Sequence, residues 1–268
     1  MPPSATNAVF IVECLLLLVG LSLLWRLGLS PLARQAPARL PAWEISLSDF
    51  LLFLWLIILG GLAAQFGLNV YQKFHPLDRT HLMIIGTGAF QGGLLLGMLT
   101  YRVAFTRPAT RLPFVFSGAA GSGVATFLIT LPVITAVSLV WQALLALAHI
   151  KVENQEAIDL LRFTDSDALR FMLLTVAIIV APVAEELIFR AGIFRYARTR
   201  LPRWAALLLP AVLFATLHLN LGSFAPLIAL AVVFSLAYER TGLIGTTMVA
   251  HALFNLNASV LVLVGVNV

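Results

Sequence analysis

Glu185 and Glu186 stand side by side in Ala-Pro-Val-Ala-Glu-Glu-Leu-Ile-Phe-Arg, residues 181–190, with Arg190 one helical turn beyond them. The stretch closes a long apolar run. Inserting Asp, Lys or Arg at a membrane centre costs roughly 2.5–3.5 kcal/mol each, so ionisable groups placed there mark a functional site by default. Two further apolar runs carry His218, then His251 and Asn255. Carboxylates, imidazoles and an amide within one membrane bundle are the groups needed to deprotonate a water and to stabilise an oxyanion, so the chemistry they point to is hydrolysis.

The chain around these residues is 60% hydrophobic and 11% charged over 268 residues. Soluble domains carry about 25% charged residues, so this composition describes a membrane protein. The single Cys14 excludes an internal disulfide and a Cys-rich metal site. The net charge of +5 lies between apolar spans, where basic residues report membrane orientation; no nucleic-acid partner is expected. No Lys or Arg precedes the first apolar run and no small-residue cleavage site follows it, so that run reads as a retained span.

A span needs about 20 apolar residues. Candidates are 8–25, 50–71, 81–101, 114–148, 168–189, 204–219, 223–238 and 243–264, which predicts an all-α, polytopic bundle of about eight transmembrane helices. The fourth is long and contains Pro132, consistent with one kinked helix or two short ones. With eight spans, the odd-numbered connections hold Arg26, Arg34, Arg39, Arg102, Arg107, Arg111, Arg190, Arg195, Arg198, Arg200, Arg203 and Arg240. The even ones hold only Lys73, Arg79, Lys151, Arg162 and Arg170. The positive-inside rule then puts the odd connections in the cytoplasm and both termini outside. Splitting 114–148 into two spans would move the Arg195–Arg203 cluster outside. The 149–167 connection, with Glu153, Glu156, Asp159, Asp165 and Asp167, reads as a solvated outer loop with a short helix. His75, His81 and His149 lie near span ends, and Glu239 and Arg240 read as a turn before Gly242. Gly88-x-x-x-Gly92 and Gly93-x-x-x-Gly97 allow helices to approach closely.

No proline interrupts Ala191–Arg200, and Pro202 supplies a stop, so the helix bearing Glu185 extends past Arg190. If the hairpin turns at Pro202, Glu186 and His218 each lie 16 residues from the turn, at a matching depth of about 24 Å. Neighbouring residues on a helix differ by about 100° in direction, so Glu185 and Glu186 are not expected to aim at one centre. Glu186 and Arg190 share a face at i,i+4 and are expected to pair, leaving Glu185 for the cavity. Phe214 and His218, and His251 and Asn255, have the same spacing.

Glu185-Glu186-x-x-x-Arg190, Phe214-x-x-x-His218 and His251-x-x-x-Asn255 resemble, in order, the three motifs of the CPBP family, the CAAX proteases and bacteriocin-processing enzymes also called Abi proteins. The resemblance covers roughly residues 168–262. It divides the chain into a catalytic membrane domain, 151–268, and N-terminal helices, 1–150, without a motif. One departure is Ala191 before Gly192, where the family often has Gly directly after the arginine. The resemblance implies an intramembrane endopeptidase, a multi-pass protein of a bacterial-type plasma membrane with its active site opening toward the cytoplasm. Its partners would be the lipid bilayer and a membrane-associated protein or peptide, including prenylated CAAX substrates. Glu185, Glu186, Arg190, His218, His251 and Asn255 become the catalytic set. Two mechanisms fit them. Zinc held by Glu185, His218 and His251 would lower the pKa of a bound water, although no His-Glu-x-x-His motif is present. Without metal, Glu185 and His218 would deprotonate the water while His251 and Asn255 donate to the oxyanion. Buried Glu and His also occur in transporters and proton relays, and the same fold could serve as a non-catalytic immunity or scaffold protein.

Overall fold

A computed structural model describes residues 3–106, 118–152, 156–164 and 166–266. Arg107 and Arg111 of the orientation argument, and Glu153 and Asp165 of the acidic connection, lie outside the described residues. The described chain is an all-α bundle with no strand among its elements. Among the described residues seven helices are long and apolar enough to cross a membrane: α1 (Asn7–Leu29), α2 (Leu47–Phe74), α3 (Arg79–Phe105), α4 (Ala119–Leu147), α6 (Asp167–Arg198), α8 (Phe224–Thr241) and α9 (Ile244–Leu263). Between them lie the short α5 (Glu156–Phe163) and the apolar 15-residue α7 (Arg203–Leu217). The fourth span is one helix with Pro132 inside it. α6 has 32 residues, about 48 Å at 1.5 Å per residue, and so outruns a hydrocarbon core of about 30 Å. It continues past Arg190, as the lack of proline predicts.

Small residues set the closest helix contacts. A Cβ on Gly93 would lie 2.4 Å from the Gly60 carbonyl oxygen, and one on Gly97 would lie 2.2 Å from that of Leu56. α2 and α3 therefore touch backbone to backbone, as the second glycine pair predicts. Gly92 meets nothing within 4 Å and plays no such part. α4 packs against α1, α8 and α9, with Gly123 against Val249 and a 2.7 Å bond between the hydroxyls of Ser122 and Thr246. Trp43, Phe50 and Phe53 buttress the end of α6. The Phe50 ring stacks on Tyr196 at 3.7 Å, and Phe53 fills the space left by the missing side chain of Gly192.

The connections sort onto two faces. At one, Arg195 donates to the carbonyls of Pro41 (2.8 Å) and Ala42 (3.1 Å), Arg200 donates to that of Ile45, and the amides of Arg39 and Leu40 donate to the Glu239 carbonyl. At the other, Arg79 faces Glu156, Trp141 donates to the Leu221 carbonyl, and Val152 lies against Gly222. Among the described residues the first, fifth and seventh connections thus meet each other and the second, fourth and sixth meet each other, which requires α7, although short, to traverse the bundle. Placing the arginine-rich face in the cytoplasm predicts that reporters fused after Arg39 and Arg200 read cytoplasmic and one near Glu156 reads outside. Finding Arg200 and Glu156 on the same side would refute the arrangement.

Glu239 departs from the sequence reading. It sits in the last turn of α8 at 3% exposure rather than in a surface turn, and binds Arg198 Nε at 2.5 Å and Arg203 Nη2 at 2.8 Å. Gly242, at φ +69°, ends the helix and leaves room for the Arg39 backbone. The carboxylate holds the α6–α7 connection, and the backbone carbonyl of the same residue holds Arg39 and Leu40, contacts between distant segments that the local pattern Glu-Arg-Thr-Gly does not reveal.

Candidate active site

The site is built on a helix that changes pitch twice. α6 opens into wider π-helical turns at Val176–Val180 and again at Glu186–Phe194. Such turns inside an α-helix mark strain or function. In the first, the Ala181 amide bonds to the Val176 carbonyl, five residues back. The next donor in that register would be Pro182, which has no N–H. The Ala177 carbonyl so released is taken by Asn255 Nδ2 of α9 at 2.7 Å. Asn255 therefore spends one N–H on locking α9 to α6, and its second N–H is what remains for an oxyanion. Asn255→Ala is expected to destabilise the protein by about 1 kcal/mol, the cost of leaving a partly buried carbonyl unpaired, seen as a lower denaturation midpoint. An unchanged midpoint would mean that this lock carries no stability.

In the second wide segment Glu186 is 0% and Arg190 1% exposed. Arg190 Nη1 lies 3.0 Å from Glu186 Oε1, off the line of an ideal hydrogen bond, and the guanidinium lies 4.7 Å from the Phe214 ring centroid and 5.4 Å from that of Phe234. The expected i,i+4 pair is present, with two aromatic faces over the cation. Burying such a pair is costly unless both charges are closely compensated.

The same Glu186 oxygen accepts from His251 Nδ1 at 2.8 Å. A carboxylate only accepts, so the proton is on Nδ1. The other ring nitrogen, Nε2, faces Glu185 Oε2 at 3.8 Å. The two adjacent glutamates thus reach one imidazole from its two sides, contrary to the expectation that they could not share a centre. That expectation assumed regular α-helical turns and a point-like target; the helix widens at Glu186, and an imidazole presents two nitrogens. Glu185 keeps 15% of its side chain exposed, against 0% for Glu186, so Glu185 is the more accessible carboxylate of the two.

His218 caps the C-terminal end of α7. Its Nδ1–H donates to the Phe214 carbonyl at 2.8 Å, which leaves Nε2 as the free nitrogen. The Phe214 ring lies 4.6 Å from the His218 ring and 6.3 Å from that of His251, and also covers Arg190. Phe214 is thus the apolar wall joining the three motifs, a role its i,i+4 spacing to His218 hinted at. Among the described residues no hydrogen bond or ion pair joins His218 to Glu185. Nor is any group of three His, Cys, Asp or Glu side chains arranged there to hold a metal ion. Among the described residues Glu185, His218 and His251 are not gathered as three ligands around one point. A cavity of about 550 Å³ lies instead at the arginine-rich face, lined by Leu40, Glu44, Arg195, Arg198, Arg200 and Glu239 among others. It contains none of the motif residues. Sequence reasoning missed Gln91 of α3, whose Nε2 donates to Glu185 Oε1 at 3.3 Å; its signal was an amide within an otherwise apolar span.

The bundle thus ranges two carboxylates of α6 on one imidazole of α9. Residues 167–257 match the family described as Rce1-like, type II CAAX prenyl endopeptidase, and all three motifs fall within the match. The match covers about a third of the chain and is a similarity of this region to that family. No curated protein and no solved structure matches the chain.

Proposed function

We propose that the protein cleaves peptide bonds of membrane-associated substrates with a water activated by Glu185, and that prenylated CAAX-type peptides belong to its substrate class. The observation that supports this best is the unequal pair of carboxylates: Glu186 neutralised by Arg190 and fixed on His251, Glu185 left partly open beside His251 Nε2. Glu185 takes a proton from water. The water oxygen adds to the scissile carbonyl carbon, and the carbonyl electron pair moves onto oxygen. Glu185 returns the proton to the amide nitrogen as the C–N bond breaks, so base and acid are one residue. His251, oriented by Glu186, helps to hold the water, and when protonated on Nε2 donates to the oxyanion. Arg190 keeps Glu186 ionised and thereby keeps Nδ1–H in place. His218 Nε2 provides a further acceptor for the water or substrate when the cleft closes on a ligand.

The test is purified protein in liposomes offered prenylated and unprenylated peptides. The reading predicts cleavage of the prenylated peptide; solute or ion flux with no cleavage would replace the peptidase by a transporter. Because no three ligands converge among the described residues, a chelator is expected to leave the rate unchanged. A rate lost on chelation and restored by zinc would bring the metal into the mechanism.

A further inference from the structure

Gln91 lies outside the family match, yet it reaches the carboxylate on which the proposed reaction turns. α3 packs along α6. From it the Gln91 amide donates Nε2–H to Glu185 Oε1 at 3.3 Å. Its other end, Oε1, is buried and has no hydrogen-bond partner. The orientation follows from chemistry: an ionised carboxylate accepts only, so the NH₂ turns toward Glu185 and the carbonyl away from it. A buried acceptor left unpaired costs about 1–3 kcal/mol, and in a native structure such a group calls for an explanation. Joined to the base by one rigid amide, this acceptor lies within a few ångström of Glu185, where a water would be deprotonated.

We propose that Gln91 is a positioning residue for the hydrolysis, holding Glu185 through its N–H and the attacking water through its carbonyl; the proposal rests on Glu185 being the base. The water gives one hydrogen to Glu185 and the other to Gln91 Oε1, which turns its lone pair toward the scissile carbon. As the C–O bond forms, the first proton passes to Glu185 and the carbonyl pair moves to oxygen. The second hydrogen stays on the added oxygen, still bonded to Gln91. The C–N bond then breaks, Glu185 protonates the departing nitrogen, and the new carboxylic acid releases its proton to solvent.

The experiment compares wild type, Gln91→Leu, Gln91→Glu and Glu185→Gln on a prenylated CAAX peptide, reading kcat, KM and the thermal midpoint. Gln91→Leu is expected to lower kcat by about 10–100-fold, the order of what misplacing a reacting group costs, with KM unchanged. Its midpoint should change little, because an unpaired acceptor is removed along with the long 3.3 Å bond to the partly exposed Glu185. Gln91→Glu, which keeps the shape but has no N–H to hold Glu185, should lose at least as much kcat. Wild-type kcat in Gln91→Leu, with Glu185→Gln inactive, would overturn this proposal alone. A Gln91→Leu midpoint that falls along with kcat would make Gln91 structural and overturn it as well. No cleavage by wild type, or full activity in Glu185→Gln, would remove the Glu185 reading and this inference with it.

Discussion

Glu185→Gln is expected to abolish peptide hydrolysis while leaving the protein folded. General-base catalysis contributes about 10²–10⁴ in rate, and here the same carboxylate also returns the proton, so the loss should lie at the upper end. The substitution keeps the side-chain shape and an oxygen able to accept from Gln91. It does not touch the Glu186–Arg190 pair that compensates the buried charge. Expression, detergent stability and peptide binding should therefore match wild type, with only the single-turnover rate collapsing. Full activity in a well-folded variant would reject Glu185 as the base.

Arg190→Ala should act mainly on the fold. Arg190 is 1% exposed and its partner Glu186 0%, so removing the guanidinium strands a carboxylate, at about 3–5 kcal/mol. It also takes away the cation that lies against Phe214 and Phe234. The variant should express poorly. Adding Glu186→Gln removes the stranded charge, and the double variant should regain part of the lost stability, as measured by thermal midpoint in detergent. It should not regain activity, because Glu186 also holds His251 Nδ1–H. A double variant no more stable than Arg190→Ala would argue against the pairing as the source of the loss.

Much of this site was legible in the sequence because it follows from helical spacing. Glu186 and Arg190 at i,i+4 pair as expected, and α6 runs on toward Pro202. Phe214 packs beside His218, and the parity of basic connections matches the two faces of the bundle. What escaped depends on departures from the regular helix or on distant partners. The widening at Glu186 lets both carboxylates reach His251, and no periodicity argument built on 3.6 residues per turn allows for it. Pro182 and Asn255 are 73 positions apart; only the three-dimensional register shows that the carbonyl left without a donor by the proline is the one the amide satisfies. Glu239 looked like part of a surface turn because its partners, Arg198 and Arg203, lie on another hairpin. Gln91 was overlooked among the glycines of its span for the same reason, since its contact with Glu185 crosses 94 positions.

The central claim, that a water activated by Glu185 attacks the peptide carbonyl directly, is tested by a single turnover on a prenylated CAAX peptide in water enriched in heavy oxygen. The account predicts that the new carboxylate carries the heavy isotope in that first turnover, and that Glu185→Gln forms no product. An unlabelled first-turnover product would mean that a protein carboxylate attacked instead of water. Labelled product at the wild-type rate from Glu185→Gln would show that another group activates the water. Either result would contradict the account.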